Sequence, residues 1–221
     1  MAGKELGIAV VGSGRIGTLR AILASTHPAV RFIAVSDVDP ARAQSLAQKV
    51  GAQFSSGDNL EVISRPEVDA VIVSTSEHAH ALPVLQALEL KKTVLVEKPI
   101  ALSVEDGAGM MHAAREAEAE LYVGYSQRFR RGYLLAKEQI LQNRLGQILG
   151  GTARIYNTRA QAFQILKRSP HASPVLDVLT YYVDLFCWYL KGNAPSEVVA
   201  RGQKGVFKAA GYDADDLTWA I

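Results

Sequence analysis

Six residues, Gly12-Ser13-Gly14-Arg15-Ile16-Gly17, constrain this chain more than any others. They form a G-x-G-x-x-G loop between an apolar run over residues 6–11 and a helical pattern over 16–25. In that setting each glycine has its own reason. Gly12 permits a tight turn, Gly14 lets a ligand approach the backbone, and Gly17 allows a helix to pack closely on a strand. The helix that begins here presents unpaired N–H groups and the positive end of its dipole, which together attract phosphate. A plain glycine turn is the simpler alternative. Asp37 weighs against it, because it stands at the end of the next apolar run, 30–36, where a carboxylate accepts both hydroxyls of an adenosine ribose and repels a 2′-phosphate. The pair points to NAD rather than NADP. Arg42 lies close enough in sequence to soften that preference.

The rest of the first half alternates in the same manner. Asp39-Pro40 starts a helix through residue 50, and a short helix is expected at 60–63. Strand 70–74 follows, then helix 78–90, strand 93–96, helix 103–119 and strand 121–124. Ser103 and Asp106 make a capping-box-like start, with Asp in place of the usual Glu. Unbroken Val/Ile runs mark strands buried on both faces, as in a parallel sheet, and strands alternating with helices give a doubly wound α/β fold. After Gly124 the pattern changes to α+β. A helix is expected at 133–142, a strand at 147–156, a helix at 175–190 opened by Pro174 and closed by Gly192, and strands at 198–202 and 217–221. The division expected is therefore a Rossmann NAD-binding domain over 1–124 and a partial α+β substrate or oligomerisation domain with an open sheet over 125–221. The chain stops inside the last strand pattern, so the second domain reads as truncated, with the strand edge at Trp219 and Ile221 left to self-associate or fray.

Composition excludes several classes. Lys and Arg number 24 against 22 Asp and Glu, so no basic stripe speaks for a nucleic-acid partner. The tight basic pairs Lys91-Lys92 and Arg130-Arg131 read as solvated faces. The longest apolar stretch, 175–190, is interrupted by Asp177 and Asp184, well short of the about 20 apolar residues of a membrane span. The single Cys187 rules out an internal disulfide framework, fits the cytoplasm, and reads as a core residue.

Several side chains are placed for chemistry. Ser74-Thr75 and Glu97-Lys98-Pro99 each close a strand, at the carboxyl edge where open α/β sheets bind ligands. Proline holds Lys98 extended, which aims its side chain. A surface ion pair of Glu97 and Lys98 is the blander reading, and their position argues against it. His78 and His80 lack the further ligands a metal needs, and His80 is read as a positioning residue.

These residues resemble the glucose–fructose oxidoreductase/inositol dehydrogenase/MocA-like family. The resemblance rests on Gly12 to Gly17, Ser36-Asp37-Val38-Asp39-Pro40, Ser74-Thr75 with His80, Gly124-Tyr125-Ser126-Gln127-Arg128-Phe129, the 175–190 helix and, above all, Glu97-Lys98-Pro99. It implies that Glu97 and Lys98 flank the nicotinamide ribose, that the Lys98–Pro99 peptide is cis, and that Lys98 reaches the reacting hydroxyl. It adds Ser13, Arg15, Ile16, Ser74, Thr75, His80 and Gln127 to the cofactor contacts; Arg128 or Arg159 is the candidate to hold substrate oxygens. It implies a sugar, polyol or related hydroxylated substrate, a homo-oligomer, and about a hundred further residues in the second domain.

Two departures stand out. Ser76-Glu77 replace the Pro-Asn that often follows the strand-end Thr. The helix that usually reads Asp-x-Gly-x-His-x-x-Asp here carries Asp177, Tyr181 and Asp184, on one face at i, i+4 and i+7. Tyrosine stands where the histidine is usual. A phenol's ordinary pKa of about 10 requires a neighbour such as Lys98 before it serves as a base. Lys98 and Tyr181 therefore share the proton-transfer role as alternatives, with Asp177 orienting the group chosen and His171 as a weaker third candidate. The function implied is an NAD-dependent oxidoreductase acting on CH–OH groups. The alternative is a non-catalytic NAD- or sugar-binding regulator on the same fold. Lys98 favours the enzyme, and Tyr181 with the short chain favours the regulator.

Overall fold

The computed structural model describes residues 5–168 and 173–221. The chain divides into two compact units, Met1–Gly124 and Tyr125–Ile221.

The first unit is built on six parallel strands. They are β1 (Leu6–Val11), β2 (Val30–Ser36), β3 (Phe54–Ser56), β4 (Ala70–Val73), β5 (Thr93–Val96) and β6 (Leu121–Val123). Their order across the sheet is β3-β2-β1-β4-β5-β6. The direction of winding reverses between β1 and β4, which makes the carboxyl end of β1 the switch point of the sheet. The strands are connected by α1 (Arg15–Ser25), α2 (Pro40–Val50), α3 (Asn59–Ile63), α4 (Ala81–Glu89) and α5 (Val104–Glu116).

The apolar runs are continuous because both sheet faces are covered. Ala9, Val11, Phe32 and Ala34 join Val71, Val73, Val94 and Val96 on the face that packs Ile63, Leu88 and Met110. The alternate residues Val10, Ile33 and Val35 pack against Ala21, Ala24 and Leu46 of α1 and α2. Fully burying each such Val or Ile contributes roughly 1.5–3 kcal/mol, so the strand period is strongly enforced.

The helix starts follow the expected chemistry. Asp39 accepts from the Ala41 N–H with Pro40 in the first turn of α2. Ser103 accepts from the Asp106 N–H at α5, half of a capping box. The helix expected over 78–90 is broken in two, a 3-10 turn at Glu77–Ala79 and then α4, with His80 between them. Pro83 has no N–H to give to residue 79, which explains why the α-helical ladder restarts there. Of the basic pair Lys91-Lys92, Lys92 is not simply solvated. Its Nζ donates to the carbonyls of Arg65 (2.7 Å) and Val68 (2.9 Å), and desolvation pulls its pKa down.

The second unit is helical with one small sheet. It holds a 3-10 turn at Ser126–Phe129, α6 (Arg131–Leu141), α7 (Arg159–Arg168), α8 (Pro174–Tyr189) and α9 (Val206–Ala209). Its two strands, β7 (Ala200–Gln203) and β8 (Leu217–Ala220), pair antiparallel. Ser173 caps α8, with Pro174 in its first turn. The strand expected over 147–156 is absent: those residues carry no regular structure and are largely exposed. A strand needs a hydrogen-bonded neighbour, and none of the described residues supplies one. Cys187 is a second correction, since it is exposed rather than in the core. It lies on the side of α8 that lines a cleft of about 520 Å³ within this unit, with Leu176, Thr180 and Val183. Among the described residues no helix is long and apolar enough to cross a membrane.

Candidate active site

The connections that leave β1, β4 and β5 emerge side by side at the carboxyl edge of the first unit's sheet, because those strands are parallel neighbours. They carry the glycine loop, Ser74-Thr75 and Glu97-Lys98-Pro99 respectively.

The glycines of the loop differ in what constrains them. Gly12 has φ +94°, and a Cβ there would stand 2.7 Å from the Ser74 carbonyl oxygen. A Cβ on Gly17 would fall 1.7 Å from the Gly12 carbonyl oxygen. Both positions are closed by the protein itself. Gly14 is the opposite case: its φ of −70° is ordinary, and a Cβ there would meet nothing within 4 Å. Gly14 is also the N-cap of α1 and supplies no side-chain cap, so the first N–H groups of the helix have no capping side chain among the described residues.

Asp37, at the end of β2, is buried and accepts from two backbone N–H groups, Ser13 (2.8 Å) and Asp39 (3.0 Å). A carboxylate has about four acceptor positions, so two remain for ligand hydroxyls. Arg42 is occupied with Asp39 on the surface. Ser74 is buried, and its Oγ has no hydrogen-bond partner among the described residues.

His80 is 1% exposed. Its Nδ1 lies 2.9 Å from the Pro99 carbonyl oxygen and makes a longer contact to that of Ile100. Two carbonyls require a donor at Nδ1, so Nε2 carries the lone pair, and this atom is buried without a hydrogen-bond partner among the described residues. Burial holds the imidazole pKa below its usual value, which favours the neutral ring. The Lys98–Pro99 peptide is cis. Glu97 pairs with Arg20 of α1, Nε at 2.8 Å and Nη2 at 2.5 Å, both on Oε1. Arg20 was not among the expected site residues. Its only sequence signal is a cation one helical turn past Gly17, and its partner is 77 residues away.

The remaining expected residues belong to the second unit. Arg128 makes a two-pronged ion pair with Asp184, Nε to Oδ2 at 2.8 Å and Nη2 to Oδ1 at 2.5 Å, and the carboxylate raises the arginine's pKa further. Asp177 meets Arg168 at 3.3 Å. Tyr181 is half-buried on α8, Arg159 is exposed at the start of α7, and Gln127 has a buried Oε1 without a hydrogen-bond partner among the described residues. Thus Asp184 shares a helix with Asp177 and Tyr181 but is held by the 126–129 turn. His171 lies outside the described residues. Among the described residues no group of three or more His, Cys, Asp and Glu is placed to hold a metal.

Three observations at the sheet edge fit a dinucleotide: an uncapped helix start, an open cradle at Gly14, and an orphaned buried hydroxyl at Ser74. The fold and this edge define a Rossmann dinucleotide-binding unit. Residues 6–125 match the model of an oxidoreductase family with an NAD-binding Rossmann fold, and the chain belongs to that glucose–fructose oxidoreductase/inositol dehydrogenase/MocA family. A myo-inositol 2-dehydrogenase from Thermotoga maritima is 28% identical over 218 residues, covering 94% of this chain and 61% of that protein. A 2,7-anhydro-N-acetylneuraminate hydratase from Mediterraneibacter gnavus is 32% identical over 216 residues, covering 97% and 57%. The crystal structure of scyllo-inositol dehydrogenase from Lactobacillus casei with NAD(H) and scyllo-inositol superposes with a TM-score of 0.82 at 23% identity, covering 98% of this chain and 65% of the other; at that identity the likeness is one of fold. The chain spans about three fifths of the length of the curated relatives it matches.

Proposed function

We propose that this chain binds NAD through its first unit and takes part in oxidising a secondary alcohol of a polyol or sugar. The observation that carries the reading is the placement of Glu97-Lys98-Pro99 at the same sheet edge as the glycine loop, two strands from the switch point. In this reading the loop from Gly12 to Gly17, with Ser13, Arg15 and Ile16, holds the pyrophosphate. Asp37 takes the adenosine ribose, and Ser74, Thr75, Glu97 and Gln127 contact the nicotinamide half. His80 acts through the Pro99 carbonyl it holds, so its part in cofactor binding is to fix the Lys98 turn. NAD, when bound, supplies the hydride acceptor. The substrate hydroxyl gives its proton to Lys98 or to Tyr181, as its carbinol C–H bond breaks and the C=O forms. Asp177 orients the proton acceptor. Arg159 remains the candidate for substrate oxygens, and Arg128 serves them through or beside its pair with Asp184.

The names of the inositol dehydrogenases among its relatives support the polyol class, and the Lys98 side chain supports an enzyme over a non-catalytic binder. The test is NADH absorbance with the full chain on a panel of inositols, other polyols and sugars. NADH accumulation on a polyol that falls by at least about a hundredfold in Lys98→Ala, the usual worth of acid–base catalysis, is the expected result. Tyr181→Phe in the same assay divides the labour. Full turnover in Lys98→Ala removes Lys98 from the chemistry. NADH binding with no NADH accumulation on any member of the panel overturns the dehydrogenase assignment; turnover of an anhydro-sugar without net NADH then points to the hydratase class.

A further inference from the structure

The Arg20–Glu97 pair has a geometry that a surface ion pair does not require. Both guanidinium contacts converge on one oxygen, Oε1, and Oε2 has no hydrogen bond among the described residues. The two side chains are 24% and 12% exposed, so the pair is largely withdrawn from solvent and its charge-assisted bonds are little screened. From the other side the carboxylate is closed in by the backbone at the end of β6. A Cβ on Gly124 would lie 3.1 Å from Oε2 and 3.2 Å from the carboxyl carbon, tighter than ordinary contact. The Glu97 N–H meanwhile donates to the Val73 carbonyl at 2.9 Å, which fixes where the chain leaves the sheet. Glu97 is thus held at its backbone by β4, at one oxygen by α1 and at its flank by Gly124. The residue after it is Lys98.

We propose that Arg20 is a positioning residue for the Glu97-Lys98 turn. It clamps Glu97 by one oxygen, presents the other to the bound ligand, and ties the helix that carries the phosphate loop to the turn that carries Lys98. Arg20 lies one helical turn past Gly17, so its charge sits on the phosphate-binding helix. That charge is spent on Glu97 rather than on a phosphate. Without it, a mostly buried carboxylate stands uncompensated beside a site for an anionic ligand, and the side chain swings toward water. His80 anchors the far side of the same turn at the Pro99 carbonyl, independently of Arg20.

The proposal rests on the dinucleotide reading only for its ligand arm, so its test has two arms. In the ligand-free full chain, hydrogen exchange of the Glu97, Lys98 and Ile100 amides is compared between wild type, Arg20→Met and Arg20→Lys, with the β1 amides as the internal reference. Faster exchange confined to the turn in Arg20→Met, partly restored in Arg20→Lys, is expected. NADH titration then follows Arg20→Met, Glu97→Gln and the double variant. Arg20→Met alone is expected to weaken NADH about tenfold, the low end of what removing a supporting residue behind a ligand contact costs, and to add nothing once Glu97→Gln is present. Unchanged exchange at the turn overturns the proposal. So does an NADH loss that adds in full on Glu97→Gln, because Arg20 then acts on the nucleotide directly. If Arg20→Met unfolds, Arg20→Lys carries both arms with the same criteria. A wild-type chain that binds no NADH defeats the dinucleotide reading, and the exchange arm still judges the clamp.

Discussion

The two units of this chain are stabilised in different ways. The first is a closed layer structure in which Val10, Val11, Val35, Val71, Val73 and Val94 have no exposed surface, and helices cover both sides of the sheet. The second has a small apolar cluster of Ala162, Leu166, Phe207 and Ala214 and is otherwise tied by polar contacts. These are the Arg128–Asp184 pair, the Lys137 Nζ donating to the Trp188 carbonyl at 2.6 Å, and the Tyr189 hydroxyl donating to the Tyr133 carbonyl at 3.1 Å. Meanwhile Leu149 is 90% and Tyr156 85% exposed. In the first unit stability comes from buried area, which tolerates many small changes and fails at the few points where backbones touch. In the second the apolar cluster is small, and a few polar contacts, each of which matters alone, carry a larger share.

The comparison predicts where single substitutions act. The largest effect is expected at Gly17→Ala, where the new methyl would stand 1.7 Å from the Gly12 carbonyl oxygen, with the Ser74 Cβ behind it at 3.5 Å. More than about 4 kcal/mol of the first unit's stability should be lost, the range of severe backbone clashes, with NADH binding lost alongside; chemical denaturation and NADH titration read both. Next is Asp184→Ala. It strands the Arg128 guanidinium, but Arg128 is more than a third exposed, so the cost is discounted from that of a fully buried pair to roughly 1–3 kcal/mol. The second unit should become protease-sensitive, while NADH affinity falls only slightly, through Gln127 on the 126–129 turn that Asp184 holds. Loss of NADH binding in Asp184→Ala would break the separation of roles between the units.

A smaller effect concerns acid stability. The His80 pKa is lowered in the fold by burial, so the unfolded chain binds more protons than the folded one once the pH drops below the ordinary imidazole value. Stability supplied by this site is therefore complete above that value and declines as pH falls through it, by at most about 1.4 kcal/mol per pH unit. His80→Asn keeps a donor for the Pro99 carbonyl and removes the titration. Its acid limb in a pH series of thermal melts should be flatter than that of wild type.

Much of the first unit was legible in the sequence, for a physical reason. Its strands are buried on both faces, so apolar runs such as 6–11 and 70–73 stand out, and Asp39, Ser103 and the glycine loop punctuate them. The short edge strand Phe54–Ser56 was missed because two of its three residues are serines. In the second unit the expected strand over 147–156 did not form. The helix Arg159–Arg168 was overlooked, although Ala162, Ile165 and Leu166 carry a helical spacing. Cys187 looked like core because its neighbours are apolar, yet it falls on the cleft side of α8. The site was legible as single residues and not as contacts. Lys98, Asp37 and His80 announce themselves by position, while the Arg20–Glu97 and Arg128–Asp184 pairs join residues 77 and 56 apart and leave no local signal.

The first unit is expected to hold a dinucleotide against the backbone of the glycine loop. Gly14→Ala tests it most directly, because the structure gives that methyl nothing to strike and a backbone conformation that alanine accepts. NADH titration and thermal melting of Gly14→Ala beside the wild-type full chain make the measurement. An unchanged or slightly raised melting temperature is expected, with NADH affinity weakened about tenfold, which corresponds to about 1.4 kcal/mol. Equal NADH affinity in the two proteins would remove the glycine loop from the binding site.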